Sequence, residues 1–177
     1  MRITISGPPG SGKTTACRKL SEKLGMDAVV FGEFFRKLAK ERGMTLAEFG
    51  KLAENDPSID KMIDAMILDA AKKDSDIILE SRLSAHMLTS NGIPAFRIYL
   101  EASPETRIRR VGIREGESPE EVYRHTIERQ SSEAKRYKMY YDIDIEDRSV
   151  YDLILNTDDL DPDQVVDRIL KGIEEST

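Results

Sequence analysis

A short apolar run near the amino terminus leads directly into a glycine-rich turn and then into a helical pattern. The run is Ile3-Thr4-Ile5, and the turn reads Gly7-Pro8-Pro9-Gly10-Ser11-Gly12-Lys13-Thr14. The turn fills every fixed position of the pattern G-x-x-x-x-G-K-[ST], with the strand before it and the helix after it that the pattern requires. Glycines let backbone amides approach an anion closely, and the amino end of the following helix adds to the positive field. The sequence therefore predicts a site for the phosphates of a nucleoside triphosphate.

Individual residues of this loop have separate expected roles. Lys13 is expected to reach the β- and γ-phosphates, and the Thr14 hydroxyl to coordinate Mg²⁺. Thr15, in the first turn of the helix, is expected to contact the α-phosphate. A tight glycine turn with an incidental lysine is the alternative, and the strand–loop–helix context argues against it. We predict Lys13 as catalytic and the following residues as ATP-binding: Gly7, Pro8, Pro9, Gly10, Ser11, Gly12, Lys13, Thr14 and Thr15.

The rest of the chain alternates short apolar runs with longer helical patterns. Further strands are predicted at 28–31, 77–79, 96–100 and 151–155, and helices at 13–24, 34–42, from 45, at 58–73, over 104–141 with a break near Gly116, and at 161–173. Parallel strands joined by helices require right-handed crossovers, and nearly continuous apolar strands are typical of a sheet covered on both faces. We predict an α/β fold with a doubly wound, mostly parallel sheet. No repeat or linker divides the chain, so we expect one domain over 1–177.

Composition excludes several functions. The 27 Lys and Arg residues are outnumbered by 33 Asp and Glu, which gives a formal net charge of −6 and argues against a nucleic-acid polymer as partner. One cysteine and two histidines offer no zinc cluster. Apolar runs are too short for a membrane span, and polar residues interrupt any signal-peptide core from Ser6 onward. We expect a cytoplasmic protein without a membrane partner, and the short polar helices favour a monomer.

Arginines far from the loop indicate a second phosphate site. Phosphoryl transfer depends on positioning and on stabilising charge spread over phosphate oxygens, and a guanidinium fits two such oxygens at once. A GTPase is disfavoured because no N-K-x-D motif follows the later strands. A regulatory module that uses the loop as a nucleotide switch is the non-enzyme alternative, and it needs no second phosphate site. The arginines are Arg36, Arg82, Arg107, Arg110, Arg114, Arg129 and Arg136, of which we expect Arg107 to be structural.

Five segments resemble one enzyme family in their order along the chain. They are the glycine-rich loop, Phe31-Gly-Glu-Phe-Phe-Arg36, Glu80-Ser81-Arg82, the arginine-rich middle and Tyr151-Asp-Leu-Ile-Leu-Asn-Thr157. Together they resemble the archaeal-type cytidylate (CMP) kinases of the nucleoside-monophosphate kinase superfamily, over essentially the whole chain. The resemblance implies a P-loop NTPase-like sheet of five parallel strands, a helical monophosphate-binding region at about 31–73 and a short lid at about 110–130. It implies ATP-dependent, Mg²⁺-dependent phosphorylation of CMP and dCMP. A kinase of UMP, AMP or shikimate stays open.

The resemblance also implies residues that hold the acceptor and the metal. Arg36 would grip the phosphate of the acceptor, with a solvated helix arginine as the alternative. Arg82 would bind the acceptor from the end of the third strand, since ligands gather at the carboxyl ends of parallel strands. Glu80 would hold a Mg²⁺-bound water, with a helix cap or an ion pair as the alternative role.

Two further groups of charged residues follow from the same resemblance. Arg129, Glu133 and Arg136 are spaced i, i+4 and i+7, which places them on one helix face. That face would bind the acceptor, with arginines on phosphate and the carboxylate on ribose; a surface salt-bridge ladder is the alternative. Arg110 and Arg114 lie near the expected lid and would act as catalytic charges when it closes.

Overall fold

The computed structural model describes residues 1–176. Over these residues the chain forms strands β1 (Arg2–Ser6), β2 (Asp27–Val30), β3 (Ile77–Glu80), β4 (Phe96–Glu101) and β5 (Leu153–Asn156), and helices α1 (Lys13–Leu24), α2 (Phe31–Glu41), α3 (Leu46–Asn55), α4 (Pro57–Lys73), α5 (Ser84–Ser90), α6 (Pro104–Glu115), α7 (Pro119–Tyr141) and α8 (Pro162–Glu175). No helix of this part is both long enough and apolar enough to cross a membrane.

The five strands form one parallel sheet in the order β2-β3-β1-β4-β5. β1 is central, and its neighbours β3 and β4 flank it on opposite sides. The chain therefore crosses over β1 when it passes from β3 to β4, and such reversals create a crevice at the carboxyl ends of the strands. The predicted doubly wound, five-stranded α/β fold is confirmed.

Alternation along the strands divides the core into two layers. Ile3 and Ile5 of β1 and Ile78 of β3 pack on one face, against α1 and α8. Ile77 and Leu79 of β3 pack on the other face, together with apolar residues of α2, α4, α5 and α7. Successive strand residues point to opposite faces, so a strand buried on both sides is apolar at nearly every position. Both faces are covered by helices, as predicted.

Several predicted boundaries shift. β2 ends at Val30, because Phe31 already begins α2 and buries its ring in the second core layer. β5 begins at Leu153, two residues later than predicted. The predicted break in 104–141 is confirmed, with Gly116 capping α6 in a left-handed conformation. Helix α5 was not predicted, because its seven residues are too few to display a hydrophobic period.

The region predicted to bind the monophosphate contains three helices, α2, α3 and α4. A capping box starts α3, in which the Thr45 hydroxyl accepts from the Glu48 amide and the Glu48 carboxylate accepts from the Thr45 amide. Phe49 lies fully buried between the helices, and Phe35 packs on it with ring centroids 4.7 Å apart. This small core holds α2 and α4 in place beside the same edge of the sheet.

Candidate functional site

A cleft of about 550 Å³ opens at the carboxyl ends of the strands, a volume typical of small-ligand sites. Its walls come from the glycine-rich loop, the end of β3 and helices α2, α4, α6 and α7. Of the predicted site residues, all but the first two loop residues line it: Pro9, Gly10, Ser11, Gly12, Lys13, Thr14, Thr15, Arg36, Glu80, Arg82, Arg110, Arg114, Arg129, Glu133 and Arg136. The fold thus brings the expected donor and acceptor residues into one cavity.

Two positions of the loop must be glycine because other backbone segments approach them closely. Gly7 has φ +148°, and a Cβ there would lie 2.1 Å from the carbonyl oxygen of Leu100. Gly10 has φ +82°, and its Cβ would lie 2.7 Å from the carbonyl oxygen of Arg107. Arg107 also donates to the carbonyl of Pro9, which agrees with the structural role expected for it. The loop is therefore held in shape by the chain around it.

The loop ends where α1 begins. Gly12 occupies the N-cap position of α1 and makes no side-chain cap hydrogen bond, so the first amides of the helix point into the cleft without a side-chain acceptor from the cap. Lys13 lies at this end and its Nζ donates to the carbonyl of Pro8 at 3.0 Å. Burial lowers the pKa of Lys13 to about 8, although the nearby Glu80 carboxylate opposes the shift.

A hydroxyl and a carboxylate meet beside the loop. Thr14 Oγ1 donates to Glu80 Oε2 at 2.8 Å, and Glu80, the last residue of β3, is 4% exposed. Glu80 thus bonds a hydroxyl of the loop and does not cap a helix. Hard oxygen ligands of this kind fit Mg²⁺, which keeps several waters and needs few protein ligands. Residues 1–176 contain no group of three or more His, Cys, Asp or Glu side chains arranged for a metal.

Two buried ion pairs form the opposite wall. Arg82 Nε donates to Glu133 Oε2 at 2.7 Å, and Arg136 Nε donates to Asp60 Oδ2 at 2.7 Å. Arg136 also donates to Ser132 Oγ. The side chains of Arg136 and Asp60 are 3% and 5% exposed. The helix face of α7 is therefore not a surface salt-bridge ladder, because its partners lie on other elements.

These pairs involve two of the residues that were predicted to bind the acceptor. Arg136 was predicted to contact a phosphate, but its guanidinium is already bonded to Asp60. Glu133 was predicted to contact ribose, but it is bonded to Arg82. Burial alone would raise the pKa of Glu133, and the positive charges of Arg82 and Arg129 outweigh burial and lower it. In this conformation both side chains have a protein partner, and their contacts with an acceptor stay predictions.

Two other arginines lack a protein partner. Arg36 stands at the rim of the cleft and Arg129 is half-buried in its wall; in the described part of the chain neither forms a hydrogen bond or an ion pair. Partial burial, followed by the positive charge of Arg129, lowers the pKa of Arg36. Two like charges held near each other, neither of them in an ion pair, are suited to a phosphate group.

Helix α6 supplies the two predicted lid arginines. Arg110 donates to the carbonyl of Gly10 at 3.3 Å and to Oγ1 and the carbonyl of Thr157 at 2.9 and 2.8 Å. Arg114 is exposed and pairs with its neighbour Glu115. Arg110 therefore already lies against the donor loop, whereas Arg114 forms its hydrogen bond with Glu115 and none with the loop. Their role on closure stays a prediction.

Sequence reasoning missed two acidic residues of the cleft. Asp60 and Asp64 of α4 line it and are 3% and 5% exposed. Asp64 Oδ2 accepts from the hydroxyl of Tyr141 at 2.7 Å, and burial raises the pKa of Asp64 to about 7. The signal was an i, i+4 pair of aspartates beside the buried isoleucines of α4.

Comparisons with known proteins agree with this geometry. A sequence profile of the cytidylate kinase-like family matches residues 2–159. A cytidylate kinase of Methanococcoides burtonii is 46% identical over 99% of this chain and 98% of its own length, and one of Methanocorpusculum labreanum is 51% identical over 89% and 88%. A shikimate kinase structure from Aquifex aeolicus aligns with a TM-score of 0.63 over 99% of this chain and 98% of its own, at 17% identity. At that identity the structural likeness speaks for the fold alone.

Proposed function

The chain belongs to the cytidylate kinase-like family, and from this premise we propose that it transfers the γ-phosphoryl group of ATP to CMP and also to dCMP. One observation carries the proposal: a single cleft holds the triphosphate loop and, facing it, two arginines without a protein partner. A nucleotide switch needs the loop alone, whereas a kinase needs a second phosphate site opposite the first.

The donor side of the reaction is assigned to the loop. Backbone amides from Gly10 to Thr15 surround the β-phosphate, and Lys13 reaches the β- and γ-phosphates. Charge that develops on the transferring group is stabilised by donors that are already in position, which costs no reorganisation at the moment of reaction. Arg110, fixed against the loop and Thr157, holds the donor side of the cleft in place.

Thr14 and Glu80 would hold Mg²⁺, Thr14 directly and Glu80 through a water. The metal would supply neutralisation of phosphate charge. The hydroxyl–carboxylate contact of 2.8 Å supports this assignment, since it holds two oxygen groups that suit Mg²⁺ side by side next to the loop.

The acceptor phosphate is assigned to Arg36 and Arg129, together with Arg82. Arg82 is fixed by Glu133, so its guanidinium presents a set orientation toward the cleft. Glu133 is thereby occupied and leaves the ribose 2′-hydroxyl without a dedicated carboxylate, which supports acceptance of dCMP. Closure of the lid region at about 110–130 would bring Arg114 inward and exclude water, so that the phosphoryl group passes to the nucleotide.

The test is a coupled assay of ADP release with ATP, Mg²⁺ and a panel of acceptors. The panel contains CMP, dCMP, UMP, AMP, GMP and shikimate. We expect CMP and dCMP to be turned over at least about tenfold more efficiently, as kcat/KM, than the others. Equal rates with every acceptor, or ADP release that no acceptor accelerates, would leave a nucleotide switch or an ATPase as the function.

A further inference from the structure

Past the arginines, the cleft is lined by residues of α4 and α7, and this part is here called the base chamber. Its walls include Phe31, Phe35, Ile63 and Tyr137, which offer flat and apolar surface. Asp60 and Asp64 are the acidic groups on its α4 side. An apolar chamber with few polar groups is the usual form of a site that holds one face and one edge of an aromatic ring.

The direction of α7 separates this chamber from the phosphate end. Arg129 faces the phosphate end, and Arg136 lies seven residues further along, a rise of about 10 Å. Asp60 and Asp64 are bonded to Arg136 and Tyr141, in this second half of α7. That offset is comparable with the distance from the phosphate of a nucleotide to the edge of its base. A monophosphate held by Arg36 and Arg129 therefore directs its base toward the two aspartates.

The two aspartates differ in what they still offer. Both oxygens of Asp60 accept from Arg136. Asp64 accepts from Tyr141 through Oδ2 alone, and in the described residues Oδ1 has no hydrogen-bond donor. The charged and polar groups that face Asp64 are Asp60 on its own helix and Arg136, Tyr137 and Tyr141 on α7.

Building on the proposed function, we propose that Asp64 reads the 4-amino group of cytosine, and that Tyr141 is the positioning residue that orients it. A carboxyl oxygen accepts from the cytosine amino group, which is the pairing expected of aspartate with this base. Uracil carries a carbonyl at the same place, and the ionised carboxylate repels it because neither oxygen carries a hydrogen. Burial raises the pKa of Asp64 to about 7, so the ionised form, which can only accept, predominates above that pH. UMP is the diagnostic acceptor, because adenine presents an amino group as cytosine does.

The sharpest test is Asp64→Asn, which keeps the size of the side chain and changes its pattern of hydrogen-bond donors and acceptors. Tyr141 donates to one end of the side chain and so favours the amide oxygen there, which turns the amide NH₂ toward the base. That NH₂ matches the uracil carbonyl and opposes the cytosine amino group. We expect the ratio of kcat/KM for CMP to that for UMP to fall at least about tenfold, with the KM for ATP unchanged.

Two further variants accompany it. Asp69→Asn makes the same change on an exposed part of α4 and should leave the ratio at the wild-type value. Tyr141→Phe removes the orienting hydroxyl, and we expect a rise of about threefold to tenfold in the KM for CMP with kcat kept and CMP still preferred over UMP. Folding of each variant is checked by circular dichroism, and the Tyr141 variant serves as the test if Asp64→Asn does not fold.

Failure of the inference is distinct from failure of the proposed function. If wild-type protein phosphorylates CMP and a folded Asp64→Asn keeps the wild-type CMP-to-UMP ratio, Asp64 does not read the base. If Tyr141→Phe leaves the KM for CMP unchanged, Tyr141 does not position Asp64. If the ratio of kcat/KM for CMP to that for UMP falls as far in Tyr141→Phe as in Asp64→Asn, the preference for CMP does not come from Asp64 alone, and the reading mechanism is overturned. If wild-type protein phosphorylates no acceptor, the proposed function fails, and this inference fails with it.

Discussion

The two ends of the cleft are built in opposite ways. At the donor end, a continuous stretch of eight residues supplies backbone amides, and its shape depends on close contacts such as Gly7 with the Leu100 carbonyl. At the acceptor end, side chains from β3, α4 and α7 meet, and most of them are already paired: Arg82 with Glu133 and Arg136 with Asp60. The donor end is a backbone cradle and the acceptor end is a network of buried charges.

This difference indicates how each end responds to change. A cradle of amides has no side chain to remove, so its weak points are the glycines and the one lysine that adds a full charge. A paired network tolerates no single truncation easily, because the partner left behind is a buried, uncompensated charge. Arginines without partners, such as Arg36, are the residues at the acceptor end whose loss should affect binding while leaving the fold intact.

The largest expected effect comes from removing the only lysine of the donor cradle. Lys13→Met should lower kcat by about 10³-fold or more, since it deletes a preorganised charge from the transferring phosphoryl group. Lys19→Met is the control, since Lys19 is on the same helix and pairs with Asp163 at the surface. Rapid-quench or coupled assays measure both. Turnover in Lys13→Met within tenfold of wild type would mean that amides alone support transfer.

A smaller and more selective effect is expected at the acceptor end. Arg36→Ala should raise the KM for CMP by about 10- to 100-fold and leave the KM for ATP near the wild-type value, because one phosphate site is altered and the other is not. Arg168→Ala, at an exposed position of α8, controls for the loss of one positive charge. Equal increases in both constants would place Arg36 at the donor end or in a general folding role.

The same contrast explains which features of the molecule could be predicted from the sequence. The donor loop was predicted residue by residue, because its function resides in consecutive positions and in the strand and helix beside them. The parallel sheet followed from apolar strands buried on both faces, such as β3. Residues of the acceptor network were predicted by name, but the pairing of Arg136 with Asp60 was not, since it joins positions 76 residues apart. The hydrophobic periodicity of one helix does not predict an ion-pair partner on another helix.

Asp64 and its contact with Tyr141 were missed for a related reason. An aspartate on the buried face of α4 breaks the apolar pattern, and that break was the available signal. Its meaning needed the position of α7, because Tyr141 is 77 residues away. Local patterns therefore predict where elements form, and buried polar contacts between distant elements decide what the site can recognise.

An effect of pH follows from the buried lysine. Burial lowers the pKa of Lys13 to about 8, so its charge is present below pH 8 and is lost as the pH rises through that value. We expect kcat/KM for ATP, which reports the free enzyme, to fall above pH 8 by up to about tenfold per pH unit. The kcat at saturating ATP should hold to higher pH, since bound phosphates stabilise the ammonium ion. A flat kcat/KM profile to pH 9.5 would show that Lys13 keeps its proton.

The smallest expected effect is on stability and concerns the other buried titratable group. Burial raises the pKa of Asp64 from 3.8 to about 7, so the folded protein holds this proton more tightly than the unfolded chain does. The stabilisation that the proton provides is complete below pH 4 and disappears as the pH rises through 7. Asp64→Asn cannot ionise and keeps a hydrogen-bond acceptor for Tyr141.

We therefore expect the melting temperature of Asp64→Asn to match that of wild type near pH 4.5 and to exceed it by several degrees at pH 8. Calorimetric scans without nucleotide measure the difference, and Asp69→Asn, exposed on the same helix, is the matched control. A constant difference between pH 4.5 and pH 8 would mean that Asp64 ionises as easily in the fold as in the unfolded chain. In that case the base chamber would be open to water, and the acceptor end would not be a network of buried charges.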